Sequence, residues 1–464
     1  MKYELVCGLE THVELLTKEK IFCACPSLFG GEPNTRVCPV CMGLPGTIPV
    51  LNTQAVKKAV TAALALGCGI NRVSYFDRKN YFYPDLPKAY QISQYDKPFC
   101  SGGEVTLPNG RKIRIERIHL EEDAGKLIHE NGETLIDYNR VGVPLIEIVT
   151  MPDFRSGQEA ADYMEMLRLI MRHCGVSDCR MQEGSLRCDV NVSVRSEGSN
   201  ELGTKTEIKN INSMSFVRKA IEYEFERQCA ILEKGGKITP ETRRWDAAKN
   251  VTAVMREKET AKDYRFMREP DLKPLILENE YIEKLRAALP ELPESKVRRY
   301  ISLGLNETDA RQIAKHRKLS EFFDEASQDC ANSASKLILS RIFAYFKTEE
   351  DAENCILPIT AKQLNELALM LENKKINAFV ARETLDRMLQ TGKSAAEFVS
   401  GEENSFDVTE LCRKAIETNP AACADFRNGK EKAIMSVIGS VMRETRGRAD
   451  ASLVRETIVK LLLG

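Results

Sequence analysis

Net charge is almost absent from this chain: 67 Lys and Arg stand against 68 Asp and Glu in 464 residues, a balance of −1. A uniformly basic coat for nucleic acid and an acidic tail protein are thereby excluded, while a local basic patch inside a neutral chain stays open. Long hydrophobic runs are absent too. No stretch approaches the ~18 uninterrupted apolar residues of a membrane span, and Met1-Lys2-Tyr3-Glu4-Leu5 lacks the apolar core of a signal peptide, so no membrane association and a cytoplasmic location are expected. The loops that cradle phosphates are missing. There is no G-x-x-x-x-G-K-[ST] and no strand-linked G-x-G-x-x-G, so any nucleotide must bind without them, and no G-x-S-x-G elbow marks a hydrolase nucleophile. Tryptophan occurs once, at Trp245.

What remains is the composition of a soluble globular protein, with 43% apolar and 29% charged residues. At roughly 150 residues per domain the length predicts about three domains. Cysteine is the exception to scarcity, yet 15 thiols, odd in number and scattered through a long chain, read mostly as small buried hydrophobes rather than a disulfide framework.

Turn formers divide the chain unevenly: residues 1–289 hold 20 of the 27 Gly and 14 of the 18 Pro. Short alternating runs in this part indicate a sheet. In Tyr3 to Leu15 the positions Leu5, Cys7, Leu9, Val13 and Leu15 share one face, which sets Glu10, His12 and Glu14 on the other. Ser185 to Arg195 alternates likewise, leaving Arg187, Asp189, Asn191, Ser193 and Arg195 together. Thr204 to Asn210 aligns Lys205, Glu207 and Lys209, while Leu145 to Val149 reads as a buried strand interrupted by Glu147. Helices are expected over Val56–Leu66 with Thr53 as cap, after a Ser156/Glu159 capping box and closed by Gly175, and over Val217–Leu232. Beyond Pro290 and Pro293 the period is 3.6. Helices are expected over Thr308–Ala326 and Ser333–Tyr345 and after Thr360-x-x-Gln363; a polar linker, Ser400–Ser405, then leads to a helical module broken at Asn419-Pro420, Gly429 and Gly447. The expected architecture is α+β: a mixed α/β domain on a largely antiparallel sheet over 1–292, an all-helical domain over 293–400 and a small helical tail domain over 406–464.

Three constellations could carry chemistry. Cys23-x-Cys25 and Cys38-x-x-Cys41, joined by a turn-rich loop, can bring four thiolates to one tetrahedral point, as a closed structural Zn²⁺ site requires; the competing reading is four unliganded thiols. Glu10 and His12, with His119-Leu120-Glu121-Glu122-Asp123 at the end of an Ile-rich strand, offer hard oxygens and a nitrogen that suit Mg²⁺ or Mn²⁺. From spacing alone a solvated face is the default for these residues, as for Arg187/Asp189/Asn191 and Lys205/Glu207/Lys209. Their mixture of cations, carboxylates and an amide is nevertheless what phosphoryl transfer needs. From Arg427 to Lys460 eight Lys and Arg face four Asp and Glu, an excess of +4 that suits a nucleic-acid contact or a solvated helix face.

Several longer runs resemble the GatB family, a component of the aspartyl/glutamyl-tRNA amidotransferases: Gly8–Glu14, Phe76–Gln94, Glu121–Lys126, Asn139–Val149, Glu183–Asn191 and Lys205–Ser213, in this order, with Gly429–Ala433 in a segment similar to that family's tail. The resemblance spans the chain. It implies a catalytic cradle, a helical domain and a tail that contacts tRNA through candidates Lys430, Lys432, Arg443, Arg446 and Arg448. It implies that ATP phosphorylates the side-chain carboxylate of misacylated Glu-tRNA(Gln) or Asp-tRNA(Asn), and that ammonia then displaces phosphate. The ammonia would come from an amidase partner subunit, with a small third subunit strapping the two into a heterotrimer. The resemblance also implies Mg²⁺ near Glu10, His12 and Glu122, with Glu121 and Glu207 as further ligand candidates. Lys79, Arg187, Lys205 and Lys209 would contact phosphate or carboxylate, and Asp189 and Asn191 would position metal water or substrate. The four-cysteine site occurs only in some members and rests here on its own spacing. The pattern departs at Phe266–Pro274, where Met267-Arg268 replaces a usual Phe-Pro and Lys273 a proline, implying a changed loop at the cradle rim or a changed preference between tRNAs. A competing hypothesis is a non-catalytic tRNA-binding scaffold, against which the retained Glu10, His12, Glu122 and Lys205 argue.

Overall fold

The computed structural model describes residues 2–257, 264–399, 407–445, 447 and 449–463, with backbone alone at 256 and 257. The chain divides into two compact units, Met1–Leu292 and Pro293–Gly464. As expected, the first is a mixed α/β unit on a largely antiparallel sheet, and the second is helical.

Among the described residues the main sheet of the first unit has ten strands. Its central order is Glu241–Asp246, Thr206–Ile211, Leu186–Ser196, Tyr3–Glu14, Pro144–Thr150 and Lys112–Glu122, every pair antiparallel except the first. The alternation does what it predicts. Leu9, Val13, Ile146, Val190 and Val192 join Val60 of the helix Thr53–Ala65, Tyr163 and Leu167 of Gly157–His173, and Val217 and Ile221 of Met214–Glu233 in one buried core. Each such side chain contributes roughly 1.5–3 kcal/mol when fully buried. A one-residue slip in register would turn Glu10 and His12 into this core, so apolar burial and the orientation of the polar face are one constraint.

Local chemistry sets the ends of these elements. The first helix is capped by Asn52, whose side chain accepts from the N–H groups of Gln54 and Ala55; Thr53 already lies inside the helix, because the amide oxygen one residue earlier reaches both orphan donors. Ser156 accepts from Glu159 N at 3.1 Å as expected, but the Glu159 carboxylate accepts from Arg155 N and Arg111 Nε, at 2.8 and 2.7 Å, instead of closing the box. Gly175, at φ +62°, follows that helix in the left-handed conformation that glycine adopts freely. The strand expected from Thr204 starts at Thr206, so Lys205 precedes it and is exposed. The departing segment forms a short strand, Met267–Arg268, paired with Asp77–Arg78; Arg268 keeps a backbone N–H that proline lacks, and Lys273 is exposed.

In the second unit the helix expected over Thr308–Ala326 is two, Glu307–Ala314 and Arg317–Ala326. Periodicity does not show this break, because its cause is tertiary: His316 is buried between them with Nδ1 2.7 Å from Glu353 Oε1. The Thr360/Gln363 capping box closes in both directions. Two separate apolar cores occupy this unit, one built on Tyr300, Phe323, Leu364 and Leu385, the other on Cys412, Val437, Val441 and Ile458. The breaks at Asn419, Gly429 and Gly447 fall between helices, with Pro420 opening the helix Pro420–Arg427, and the linker Ser400–Ser405 lies outside the described residues. Among the described residues no helix is long and apolar enough to cross a membrane.

Candidate active site

Antiparallel register assembles the site on the sheet face left free of the core. Arg187 is opposite His12, His12 opposite Glu147, and Glu147 opposite His119, so four neighbouring strands contribute one row of side chains. A second row follows two residues along, where Glu10 faces Asp189, and a third pairs Asn191 with Glu207 and Glu207 with Thr242. Directly opposed residues on one face stand close enough to touch. Glu121, two residues beyond His119, completes the cluster.

In the first row His12 Nε2 lies 3.5 Å from Glu121 Oε1 and 3.6 Å from Glu147 Oε2. His119 Nε2 lies 3.1 Å from Glu147 Oε2 and 3.7 Å from Glu121 Oε2. Ligand atoms of His12, Glu121 and Glu147 sit within 4.8 Å of one another, a donor set of two oxygens and one nitrogen that fits a small divalent ion. Burial would lower the His119 pKa, but the Glu147 and Glu121 carboxylates outweigh it and push it up to about 9. Glu147 is held well below the usual carboxylate range, against its burial, by His119 and then by His12 and Lys79. Glu10 is raised by burial and by the charges of Glu147, Glu207 and Asp189, and Asn191 Nδ2 donates to it at 2.8 Å.

Glu10, His12, His119, Glu121 and Glu147 line a cleft of about 310 Å³ together with Lys79, Asp189, Lys205, Glu207 and Lys209. Lys209 Nζ is 2.5 Å from Asp189 Oδ2 and 3.4 Å from Glu207 Oε1, and these carboxylates raise its pKa although burial would lower it. Thr242 Oγ1 donates to Glu207 Oε2 at 2.9 Å.

Three expected site residues are placed differently. Glu122 turns away from the cleft and is engaged by Lys88 Nζ and by the N–H of Ile92, at 2.9 Å for the latter; adjacent residues on a strand point to opposite sides, so only Glu121 reaches His12. Arg187 donates to Asp123 Oδ2 at 2.7 Å and lines a neighbouring cleft of about 580 Å³. Asn191 does not line the cleft and reaches it only through its hydrogen bond to Glu10. Glu10 and Glu207 line the cleft but stand outside the tight donor group, whose third member, Glu147, is visible in the sequence only as an interruption of a buried strand. His119 is legible only as the first residue of the His119–Asp123 run, and the cleft aromatics Tyr95, Tyr264 and Phe266 carry no local signal that marks them as site residues.

The second donor group is Cys23, Cys25, Cys38 and Cys41, whose sulfurs lie within 4.8 Å of one another. Cys38 N donates to Cys41 Sγ at 3.1 Å, and Lys20, 1% exposed, places Nζ 3.8 Å from that sulfur while donating to Arg36 O at 2.7 Å. The hydrogen bond from Cys23, then the Cys38 backbone and the Lys20 charge, lower the Cys41 thiol to about 5 against its burial, and the thiolate is the form in which cysteine ligates a metal. In the second unit Lys430, Lys432 and Arg443 are exposed, with Lys430 3.0 Å from Asp425; Arg446 and Arg448 lie outside the described residues.

A mixed sheet domain with a row of candidate metal donors, followed by helices, is the arrangement on which two family descriptions fall: the chain matches the GatB/GatE catalytic domain over residues 5–283 and the GatB domain over residues 321–462. The chain belongs to the GatB family. It is 49% identical to the GatB component of the aspartyl/glutamyl-tRNA(Asn/Gln) amidotransferase of Thermoanaerobacter pseudethanolicus over 470 residues, covering 99% of both chains. The corresponding proteins of Thermodesulfovibrio yellowstonii and Carboxydothermus hydrogenoformans are 48% and 45% identical, over 100% and 99% of this chain and 100% of each relative.

Proposed function

We propose that this chain is the component of a tRNA-dependent amidotransferase that activates the side-chain carboxylate of misacylated Glu-tRNA(Gln), Asp-tRNA(Asn) or both with ATP, and converts it to the amide with ammonia. An amidase partner would deliver the ammonia, and a small third partner would join the two. The observation that carries this reading is the row of His12, Glu147 and His119 with Glu121, flanked by three lysines in one cleft of a chain whose sequence has neither of the two glycine-rich phosphate-loop motifs.

A carboxylate is a poor acyl donor because oxide leaves badly. Transfer of the γ-phosphoryl group to its oxygen gives an acyl phosphate and ADP; attack of ammonia on the acyl carbon then expels phosphate and leaves the amide. His12, Glu121 and Glu147 would hold Mg²⁺, which when bound neutralises charge on the transferred phosphoryl group. Lys79, Lys205 and Lys209 bring positive charge to the oxygens of that group and of the substrate carboxylate. Lys209 is oriented by Asp189 and Glu207, Glu207 by Thr242, and Glu10 by Asn191. The assay is formation of Gln-tRNA(Gln) from Glu-tRNA(Gln) by the assembled complex with ATP, Mg²⁺ and ammonium. Amide formation dependent on ATP supports the reading; tight tRNA binding without turnover favours a scaffold.

The four cysteines would hold a structural Zn²⁺. Protein purified without chelators is expected to contain about one zinc per chain, and Cys41→Ser to lose it; elemental analysis finding none in the wild type removes the site. The division into 293–400 and 406–464 is proposed as two modules, supported by the two separate cores. The second module would contact tRNA through Lys430, Lys432 and Arg443, with Arg446 and Arg448 as further candidates. Deleting residues 406–464 is then expected to weaken tRNA binding by roughly tenfold or more at moderate salt, and to flatten its salt dependence. An unchanged affinity would make the basic excess a solvated face.

A further inference from the structure

Phosphoryl transfer uses charge, yet one end of the cleft is walled by aromatic rings. Tyr95, in the turn after the strand Tyr90–Ser93, stacks on Phe266 with centroids 4.1 Å apart and planes 9° from parallel. Tyr264 meets Phe266 edge-on, at 6.0 Å and 64°. All three line the cleft, and Tyr95 is 47% exposed. Lys79 Nζ lies 4.9 Å over the Tyr264 ring, so a cation stands at the junction between the rings and the carboxylate row.

The stack is held from behind. Asp77 Oδ2 accepts from the N–H groups of Tyr95 and Asp96 at 2.9 and 3.1 Å. Arg268 reaches Asp96 Oδ2 at 3.1 Å and Asp77 Oδ1 at 3.5 Å, with its guanidinium 3.9 Å over the Tyr75 ring. The clamp thus joins the residue after Tyr95 to the residue two beyond Phe266, tying together the segments that supply the two stacked rings. It depends on Arg268, whose guanidinium makes both of these carboxylate contacts.

We propose that Tyr95, Phe266 and Tyr264 form the stacking wall for an adenine base, that of the ATP whose phosphates Lys79 and the carboxylate row receive, and that Arg268 is a positioning residue for this wall. The proposal rests on the functional reading above. A nucleoside triphosphate is a flat π-system joined to a polyanion, and the cleft offers a flat preorganised wall adjoining cations and metal ligands; stacking of a base on such rings is worth a substantial part of the binding energy and depends on ring area more than on hydrogen bonds.

The test uses the assembled complex and steady-state kinetics of amide formation. Tyr95→Ala and Phe266→Ala are expected to raise KM for ATP by about tenfold, with kcat changed far less, and to shrink the preference for ATP over UTP, whose smaller base stacks less. Tyr95→Phe keeps the ring and is expected to restore both values; Arg268→Met should raise KM for ATP by a smaller factor and shrink the same preference. Melting temperatures identify any variant that fails to fold, and the exposed Tyr95 then carries the test. The 3′-terminal adenosine of tRNA presents the same base. A rise confined to the KM for Glu-tRNA(Gln), with loss of the affinity difference between deacylated tRNA with and without that adenosine, assigns the wall to tRNA and overturns the ATP assignment. Unchanged KM values in both Ala variants overturn the wall altogether. If the wild type makes no amide, the functional reading fails, and direct binding of ATP to wild type and Tyr95→Ala still decides the wall.

Discussion

Glu147→Ala is expected to lower kcat/KM for ATP-dependent amide formation by about 10²- to 10³-fold, the loss that follows removal of one group placed at developing charge. Its carboxylate is the junction of the cleft: one oxygen lies 3.6 Å from His12 Nε2 and 3.1 Å from His119 Nε2. Alanine removes one of three donors for the proposed Mg²⁺ and leaves the buried His119 with Glu121 as its remaining carboxylate partner. Activity should therefore need more Mg²⁺ for half-saturation, and Glu147→Asp, shorter by one methylene, should recover part of it. The measurement is initial rate against Mg²⁺ concentration for wild type and both variants with Glu-tRNA(Gln), ATP and ammonium. Wild-type rate and Mg²⁺ dependence in Glu147→Ala would remove the row from the mechanism.

For Glu122→Ala the expected loss is of stability, about 3–5 kcal/mol, the cost of breaking a buried ion pair from one side. Glu122 is 1% exposed and the side chain of Lys88 is 5% exposed. Alanine leaves that largely buried ammonium without its carboxylate and deprives Ile92 N of its acceptor. Urea denaturation should show a lower midpoint with little change in slope, and Lys88→Met with Glu122→Leu should recover most of the loss, since the charges are removed together. Where the variant remains folded, the Mg²⁺ concentration for half-maximal activity should match wild type. A raised Mg²⁺ requirement without destabilisation would return Glu122 to the metal site and overturn the distinction from Glu121.

Comparing these neighbouring residues shows how far local pattern reaches. Period-two alternation requires Glu121 and Glu122 to point to opposite sides of a strand, and this is legible in the sequence. Which of them meets His12 depends on the pairing of Lys112–Glu122 with Pro144–Thr150, a contact that no local signal reports. Glu147 is visible as the one carboxylate in a buried strand, but a charge interrupting a strand identifies no partner. His119 shows only as the imidazole that opens the His119–Asp123 run, with nothing to pair it with Glu147. Tyr95 and Phe266 are distant in sequence and become one stack only when Met267–Arg268 pairs beside Asp77–Arg78.

The sequence by itself determined which side chains share a face, because burying Leu9, Val13, Val190 and Val192 leaves Glu10, His12, Arg187 and Asp189 on the other side. It also determined the four-cysteine group, because both close pairs lie in one short loop, and the family, because long motifs recur in order. Tertiary structure alone decided the row of Arg187, His12, Glu147 and His119, the withdrawal of Glu122 to Lys88, the break at His316 and the aromatic wall. Side-chain periodicity is a property of one strand, whereas register is a property of two, and it is settled by the packing of the whole core.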